Sequence, residues 1–198
     1  NWWDYGHWIA YFSERKVSTD NTNSNGEATS DFGKFMISED INNTKEILKK
    51  YDTDYIMVES DYLQRMSSFA IYGYWTTNFN DPKITRYLGV VVDCYKQEKA
   101  ISGTVNYICG NQAISEVEIN KIKTEYHTAP DQVMENVPIY MYREKDNSKI
   151  YLLNAAVNKT IFARMIFDDK TLEPIVTKAQ SFGKVRVYKV NKELLEGN

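Results

Sequence analysis

The sequence predicts an α+β fold with a helix-rich core over residues 1–83 and a β-rich second half over residues 84–198, for which a barrel-like arrangement is a candidate form. Three observations carry this expectation. Up to Tyr72 the apolar residues recur mainly at helical spacing. From about Ile84 the pattern changes to short runs with strand character, separated by turn chemistry. The aromatic share is 14%, with fifteen Tyr, which suits half-buried sheet surfaces more than a helical bundle. A chain of 198 residues can bury a sizeable core, so the two parts are expected to pack as one globular region.

The first ten residues read as a turn or short helical approach. Residues from about Ser18 to Thr29 are mostly Asn, Ser, Thr and Gly, which predicts a loop. Asp31 to Ile37 has helical spacing. Ser38 is a good N-cap for a following helix through Glu39-Asp40, whose last turn holds Lys49-Lys50 where cations complement the dipole. On that helix Ile41, Ile47, Leu48 and Tyr51 share a face. Asp54-Tyr55-Ile56-Met57-Val58 predicts a compact strand, and Ser60 is a cap for a second helix over Asp61 to Tyr72. A loop from Thr76 to Pro82 closes the first part. Beyond it, Tyr87 to Cys94, Ala100 to Cys109, Ile139 to Tyr142, Lys149 to Leu153, Ile161 to Phe167 and Lys184 to Val190 read as strands. Glu144-Lys145-Asp146-Asn147 and Asp168-Asp169-Lys170 read as turns between them. No internal repeat and no heptad pattern is present.

Composition excludes some functions. The formal net charge is −3 with both signs interspersed, so there is no electrostatic footprint for nucleic acid. No apolar run approaches the roughly 20 residues that span a bilayer, and no signal-peptide pattern opens the chain. His7 and His127 are the only two histidines, and neither they nor the cysteines have zinc-ligand spacing. Cys94 and Cys109 leave two readings open: a disulfide, which suits an extracytoplasmic domain, or two buried thiols in apolar strands.

The most informative segment is Trp2-Trp3-Asp4-Tyr5-Gly6. Two indoles supply N–H donors on flat apolar faces, and the carboxylate supplies an acceptor. Such a trio can grip a small hydroxyl or amide group, or it can anchor the N-terminus on the core. Continued by His7-Trp8-Ile9, the segment resembles the signature of the catalytic subunit of oligosaccharyltransferase, the membrane enzyme that transfers a lipid-linked oligosaccharide to Asn in Asn-X-Ser/Thr. Softer likenesses at Phe32 to Phe35, Glu46 to Tyr55, Thr160 to Met165 and Gly183 to Val190 extend the resemblance over the chain. Together they point to the short archaeal AglB type.

The resemblance implies an excised C-terminal globular domain on the extracytoplasmic side of the membrane, with a multi-pass membrane part upstream. Its partners are an acceptor peptide or protein bearing Asn-X-Ser/Thr and, through the membrane part, the lipid-linked oligosaccharide; nucleic acid is not among them. Trp2, Trp3 and Asp4 would receive the Ser or Thr two residues after the acceptor Asn, with Asp4 accepting the hydroxyl proton and Tyr5 and Gly6 shaping the turn. The family places beside this segment a kinked helix whose motif begins with Asp, followed by Lys or Met. Here that helix presents Asp61, Gln64, Ser68 and Ile71 on one face. Gln64 and Ser68 depart from the family letters. An offset alignment brings Met66 and Ile71 to the pocket, while a plain packing reading puts Met66 in the core. Transfer itself implies a divalent cation, Mn or Mg, held by carboxylates of the membrane part; no cofactor and no catalytic residue is assigned to this chain. Asp168-Asp169 reads as a solvated turn. The isolated domain is therefore expected to be inactive. A competing reading is a non-catalytic, secreted carbohydrate- or peptide-binding module that uses exposed aromatics. Two sequons, Asn42-Asn43-Thr44 and Asn158-Lys159-Thr160, lie within the chain.

Overall fold

The computed structural model describes residues 6–14, 16–18, 26–75, 78–87, 91–97, 105–119, 139–143, 148–167 and 172–196. They form two compact units, one from residues 1–88 with 159–198 and one from residues 89–158. The terminal strands, grouped by sequence order with the second half, thus belong with the helices.

In the first unit, α1 (Gly6–Ser13), α2 (Gly26–Ile37) and α3 (Ile41–Lys50) precede strand β1 (Tyr55–Glu59). A 3₁₀ turn (Ser60–Arg65) runs directly into α4 (Met66–Tyr74), and the short α5 (Pro82–Thr85) follows. Helices α2 and α4 approach backbone to backbone. A Cβ on Gly33 would stand 2.6 Å from the Phe69 carbonyl oxygen and 2.7 Å from the Gly73 nitrogen, so only glycine fits. Around this crossing, Phe32 and Tyr62 pack edge-on to Phe69 at 6.0 and 5.9 Å, and Phe162 closes the cluster 6.5 Å from Phe69.

Phe162 lies on α7 (Ile161–Phe167), which the sequence reads as a strand and the structure shows as a helix. The run Ile161-Phe162-Ala163-Arg164-Met165-Ile166-Phe167 lacks strict alternation, and apolar runs of this length are ambiguous by periodicity alone. Thr160 decides it locally: its Oγ1 accepts the Ala163 N–H at 3.1 Å, as an N-cap does. The helix is then buried on nearly every side. The unit ends in strands β7 (Val176–Phe182) and β8 (Val185–Val190), which with β1 make an antiparallel sheet ordered β1-β8-β7. Met57 pairs with Val187 and Val176 with Val190, and the β7 register shifts between Lys178 and Gln180.

Several boundaries move. The loop ends earlier, because α2 begins at Gly26. Asp40, not Ser38, caps α3, its carboxylate accepting the Asn42 N–H at 2.9 Å. Pro82 opens α5 behind the cap Asp81, and Tyr87 falls in the turn after it.

The second unit is a five-stranded antiparallel sheet ordered β4-β3-β2-β6-β5, from β2 (Val91–Gln97), β3 (Asn106–Cys109), β4 (Gln112–Ser115), β5 (Ile139–Arg143) and β6 (Lys149–Asn154). The short α6 (Ala155–Asn158) follows β6. Strand β4, absent from the sequence reading, is joined to β3 through Gly110 at φ +59° and Asn111, a two-residue hairpin turn. Among the described residues neither sheet closes on itself: each is an open antiparallel sheet, so the barrel-like form is not found. The open choice between thiols and disulfide resolves as a disulfide, Cys94 to Cys109, at directly opposed positions of β2 and β3. It sits in a core with Tyr107, Ile119 and Ile150. The turns at residues 144–147 and 168–170 lie outside the described residues.

Candidate functional site

The segment from Ser60 to Tyr74 is a helix that changes pitch. Residues 60–65 wind as 3₁₀, and α-helical winding starts at Met66 with Arg65 as a non-helical junction (φ −103°, ψ 13°). A change of helix type within one run bends its axis and re-aims its side chains. Neither start carries a side-chain cap bond, so burial fixes the segment. Tyr62, Leu63, Met66, Phe69 and Ala70 are all at most 2% exposed. Asp61, Gln64, Ser68 and Ile71 are outward or half-covered, and so are Arg65, Ser67, Tyr72 and Tyr74. Asp61 and Gln64 are one 3₁₀ turn apart and so stand on one face; Ser68 and Ile71 share a face of α4.

Met66, at 1% exposure, is a core residue. Trp2, Trp3 and Asp4 lie outside the described residues, so their distance from Asp61 is not a property of this structure.

Asp61 is tied to the β7–β8 hairpin. Its Oδ2 accepts from Lys184 Nζ at 2.6 Å, and the Ser60 N–H donates to the Lys184 carbonyl at 3.0 Å. Both charged side chains are substantially exposed, so the ion pair orients Asp61 more than it stabilises the fold. Beside it a hollow of about 110 Å³ opens between Met57, Val58, Glu59, Tyr62 and Val185. Its walls are mostly apolar, of a size for a methyl-bearing side chain. The sequence gives no signal for Lys184 as the partner, because 123 residues separate it from Asp61.

A second polar cluster, also missed, is built on α2 and α3. Asp31 is buried, yet it accepts from Lys34 (2.9 Å), Lys50 (2.5 Å) and the Tyr51 hydroxyl (3.0 Å). Burial works to raise its pKa, but the bonds from Lys50, Lys34 and Tyr51 prevail and hold it below the ordinary carboxylate value. Tyr51, half-buried and bonded to this carboxylate, is pushed up to about 12. The cluster lies in a groove of about 630 Å³ whose other walls include Glu39, Asn43, Tyr74 and Arg86. The Arg86 guanidinium pairs with Glu39 across it. The spacing of Asp31 and Lys34 at i and i+3 was the available signal.

Among the described residues no group of three or more His, Cys, Asp and Glu side chains gathers as a metal site, and no helix is long and apolar enough to cross a membrane. Asp31, Glu39 and Asp61 are engaged by lysines or arginine and Asp40 by a helix-starting amide.

The fold is that of an oligosaccharyltransferase C-terminal globular domain. The chain resembles the C-terminal domain of PglB from C. jejuni with a TM-score of 0.55 and 15% identity, over 96% of this chain and 92% of that one. It resembles the C-terminal globular domain of the oligosaccharyltransferase from Pyrococcus abyssi with a TM-score of 0.52 and 13% identity, over 96% and 45% of the two chains. The corresponding domain from Archaeoglobus fulgidus is similar at a TM-score of 0.46 and 16% identity, over 96% and 78%. More particularly, residues 1–63 match the AglB core domain family, a stretch that holds both the Trp-Trp-Asp-Tyr-Gly segment and Asp61. The resemblance expected from the opening motif is met by the family match over residues 1–63 and, for the whole chain, at the level of the fold. No curated protein sequence matches the chain.

Proposed function

We propose that this chain is the extracytoplasmic domain of a membrane oligosaccharyltransferase, and that it holds the Ser or Thr at position +2 of the acceptor Asn-X-Ser/Thr. The observation that carries the reading is the AglB core match over residues 1–63. The indoles of Trp2 and Trp3 donate to the acceptor hydroxyl oxygen, and Asp4 accepts its proton. A site whose buried polar groups are satisfied only by a hydroxyl rejects acceptors without one, since those groups would be left unpaired. The pitch-changing helix contributes the second wall through Asp61, Gln64, Ser68 and Ile71; Met66 supports it from the core. Fixing the +2 residue places the acceptor amide without touching it, so this domain contributes positioning and the membrane part contributes chemistry.

A divalent cation, Mn or Mg, would polarise the glycosyl phosphate and supply Lewis acidity there, held by carboxylates outside this chain. The lipid-linked oligosaccharide likewise meets the membrane part. On this reading the isolated domain binds acceptor peptide and transfers nothing.

Asp4→Ala in the membrane-borne enzyme should lower transfer to a Thr-containing acceptor at least about a hundredfold. Unchanged transfer would refute the assignment. A secreted binding module remains the second reading, favoured by Trp75. That residue is 65% exposed and held at φ +49°, a left-handed conformation that a bulky side chain adopts only under constraint. Sequencing the gene upstream of Asn1 separates the two: multiple apolar spans fit the first, a signal peptide alone the second.

A further inference from the structure

The two internal sequons are not equivalent in the fold. Asn158-Lys159-Thr160 is locked by its own side chains. The Asn158 Oδ1 accepts from the Tyr142 hydroxyl at 2.5 Å, and Thr160, fully buried, caps α7 through Ala163. Asn42-Asn43-Thr44 is the first turn of α3. Asn42 and Asn43 are exposed, and a substituent on the Asn42 amide would project into solvent. Thr44 is buried, its hydroxyl donating to the Asp40 carbonyl at 3.2 Å. A sequon must be read extended, so Thr44 has to leave this turn first. That opening is local. It unwinds one helix end whose three residues, Asn, Asn and Thr, are all weak helix formers, and helix ends fray before cores open.

We propose that Asn42 is itself an N-glycan acceptor, modified through opening of the first turn of α3, and that Asn158 in the folded protein is not. The co-reactant is a saccharide esterified to a lipid phosphate. A bond forms between the Asn42 amide nitrogen and the anomeric carbon. The bond from that carbon to the phosphate oxygen breaks, the lipid phosphate leaves with the electron pair, and the amide releases one proton to solvent. The inference rests on the reading above only in requiring the extracytoplasmic side, where such transfer takes place.

The test is peptide mapping by mass spectrometry of the full-length protein from its native cells, carrying a flexible C-terminal Asn-Ala-Thr tail as an internal control. A glycan on the Asn42 peptide and on the tail, with the Asn158 peptide bare, is the expected result, and Asn42→Gln should remove only the first. Asn43→Ala keeps the sequon but strengthens the first turn, so Asn42 occupancy should fall about two- to threefold where transfer is limiting. A modified tail with Asn42 bare overturns the proposal and leaves the domain's placement standing. Occupancy of Asn158 equal to that of Asn42, or occupancy indifferent to Asn43→Ala, overturns the opening argument. A bare tail with Asn42 bare overturns the proposal together with the placement.

Discussion

In the second unit, Lys149 forms one half of a buried ion pair. It is 4% exposed and pairs with Asp93, whose side chain is 3% exposed. The ammonium also lies 4.8 Å from the ring centre of Tyr95 and 4.5 Å from that of Tyr151. Burial works to lower its pKa, but the bond to Asp93, supported by Tyr95 and Tyr151, outweighs that and raises it above the ordinary lysine value. Asp93 already has one buried oxygen, Oδ1, without a hydrogen-bond partner. Lys149→Met would therefore leave a buried carboxylate without its counter-charge, with the Tyr95 hydroxyl donating to Oδ2 at 3.1 Å. Removing one partner of a buried pair costs about 3–5 kcal/mol, whereas replacing both by apolar residues of similar volume is neutral or stabilising. With a urea dependence of about 2 kcal/mol per molar, the single variant should lower the unfolding midpoint by roughly 1.5–2.5 M. The double variant Asp93→Leu with Lys149→Met should recover most of that loss. Urea titration followed by circular dichroism, with the disulfide intact, reads both. A single variant within about 1 kcal/mol of the wild type, or a double variant as unstable as the single, would refute the reasoning. The pH sign follows from the raised pKa: the stability this lysine adds is fully present below about pH 10.4, its unfolded value, and is lost as pH rises through the higher folded value.

Three further outcomes are expected. Gly33→Ala forces a Cβ to within 2.7 Å of two backbone atoms of α4, so the helices must part; overpacking of this kind costs about 1–3 kcal/mol, and calorimetry should show Tm falling by several degrees. Asp31→Asn takes the charge from the acceptor shared by Lys34, Lys50 and Tyr51 and should cost about 1–3 kcal/mol at neutral pH. Because the folded Asp31 pKa is lowered, the wild-type advantage should hold above about pH 4 and disappear as pH falls through the folded value, in acid titrations of stability. Asp61→Ala releases the exposed Lys184 pair and should change folding stability by less than about 1 kcal/mol, while transfer by the membrane-borne enzyme falls; a large stability loss with normal transfer would make Asp61 a structural residue.

The legible parts of the fold were those where a local pattern had no rival. Strands β1, β5, β6 and β8 came out within a residue or two of the sequence reading, because β-branched and aromatic residues make up half or more of β1, β5 and β8 and an apolar run marks β6. Strand β7 escaped because all but its first residue are exposed, so Thr177 to Phe182 shows no buried period. Its pairing with β8 comes from the turn at Gly183, φ +53°, and from backbone bonds that leave no side-chain signature. Helix α7 escaped for the opposite reason. A segment buried on almost every side loses periodicity altogether, and only the Thr160 cap marks its type.

The candidate site divides along the same physical line. The inward set Tyr62, Leu63, Met66, Phe69 and Ala70 leaves Asp61, Gln64, Ser68 and Ile71 outward or half-covered, but burial does not separate these four from Arg65, Ser67, Tyr72 and Tyr74, which are outward or half-covered too. Gln64 and Ser68 depart from the family letters without disturbing that division, since neither position supports the core. The change from 3₁₀ to α winding was not legible. No capping residue announces it at Glu59 or Arg65. Burial of Tyr62, Leu63, Met66 and Phe69 holds it, and at its start Ser60 bonds to the Lys184 carbonyl while Asp61 pairs with the Lys184 side chain. A hairpin more than a hundred residues downstream thus orients Asp61, the first residue of a wall that sequence order assigns to residues 1–83. Substitution at Lys184 should therefore act through Asp61 at the proposed acceptor site, and an excised N-terminal stretch lacking β7 and β8 would lose the Lys184 contacts, whatever motif it carries.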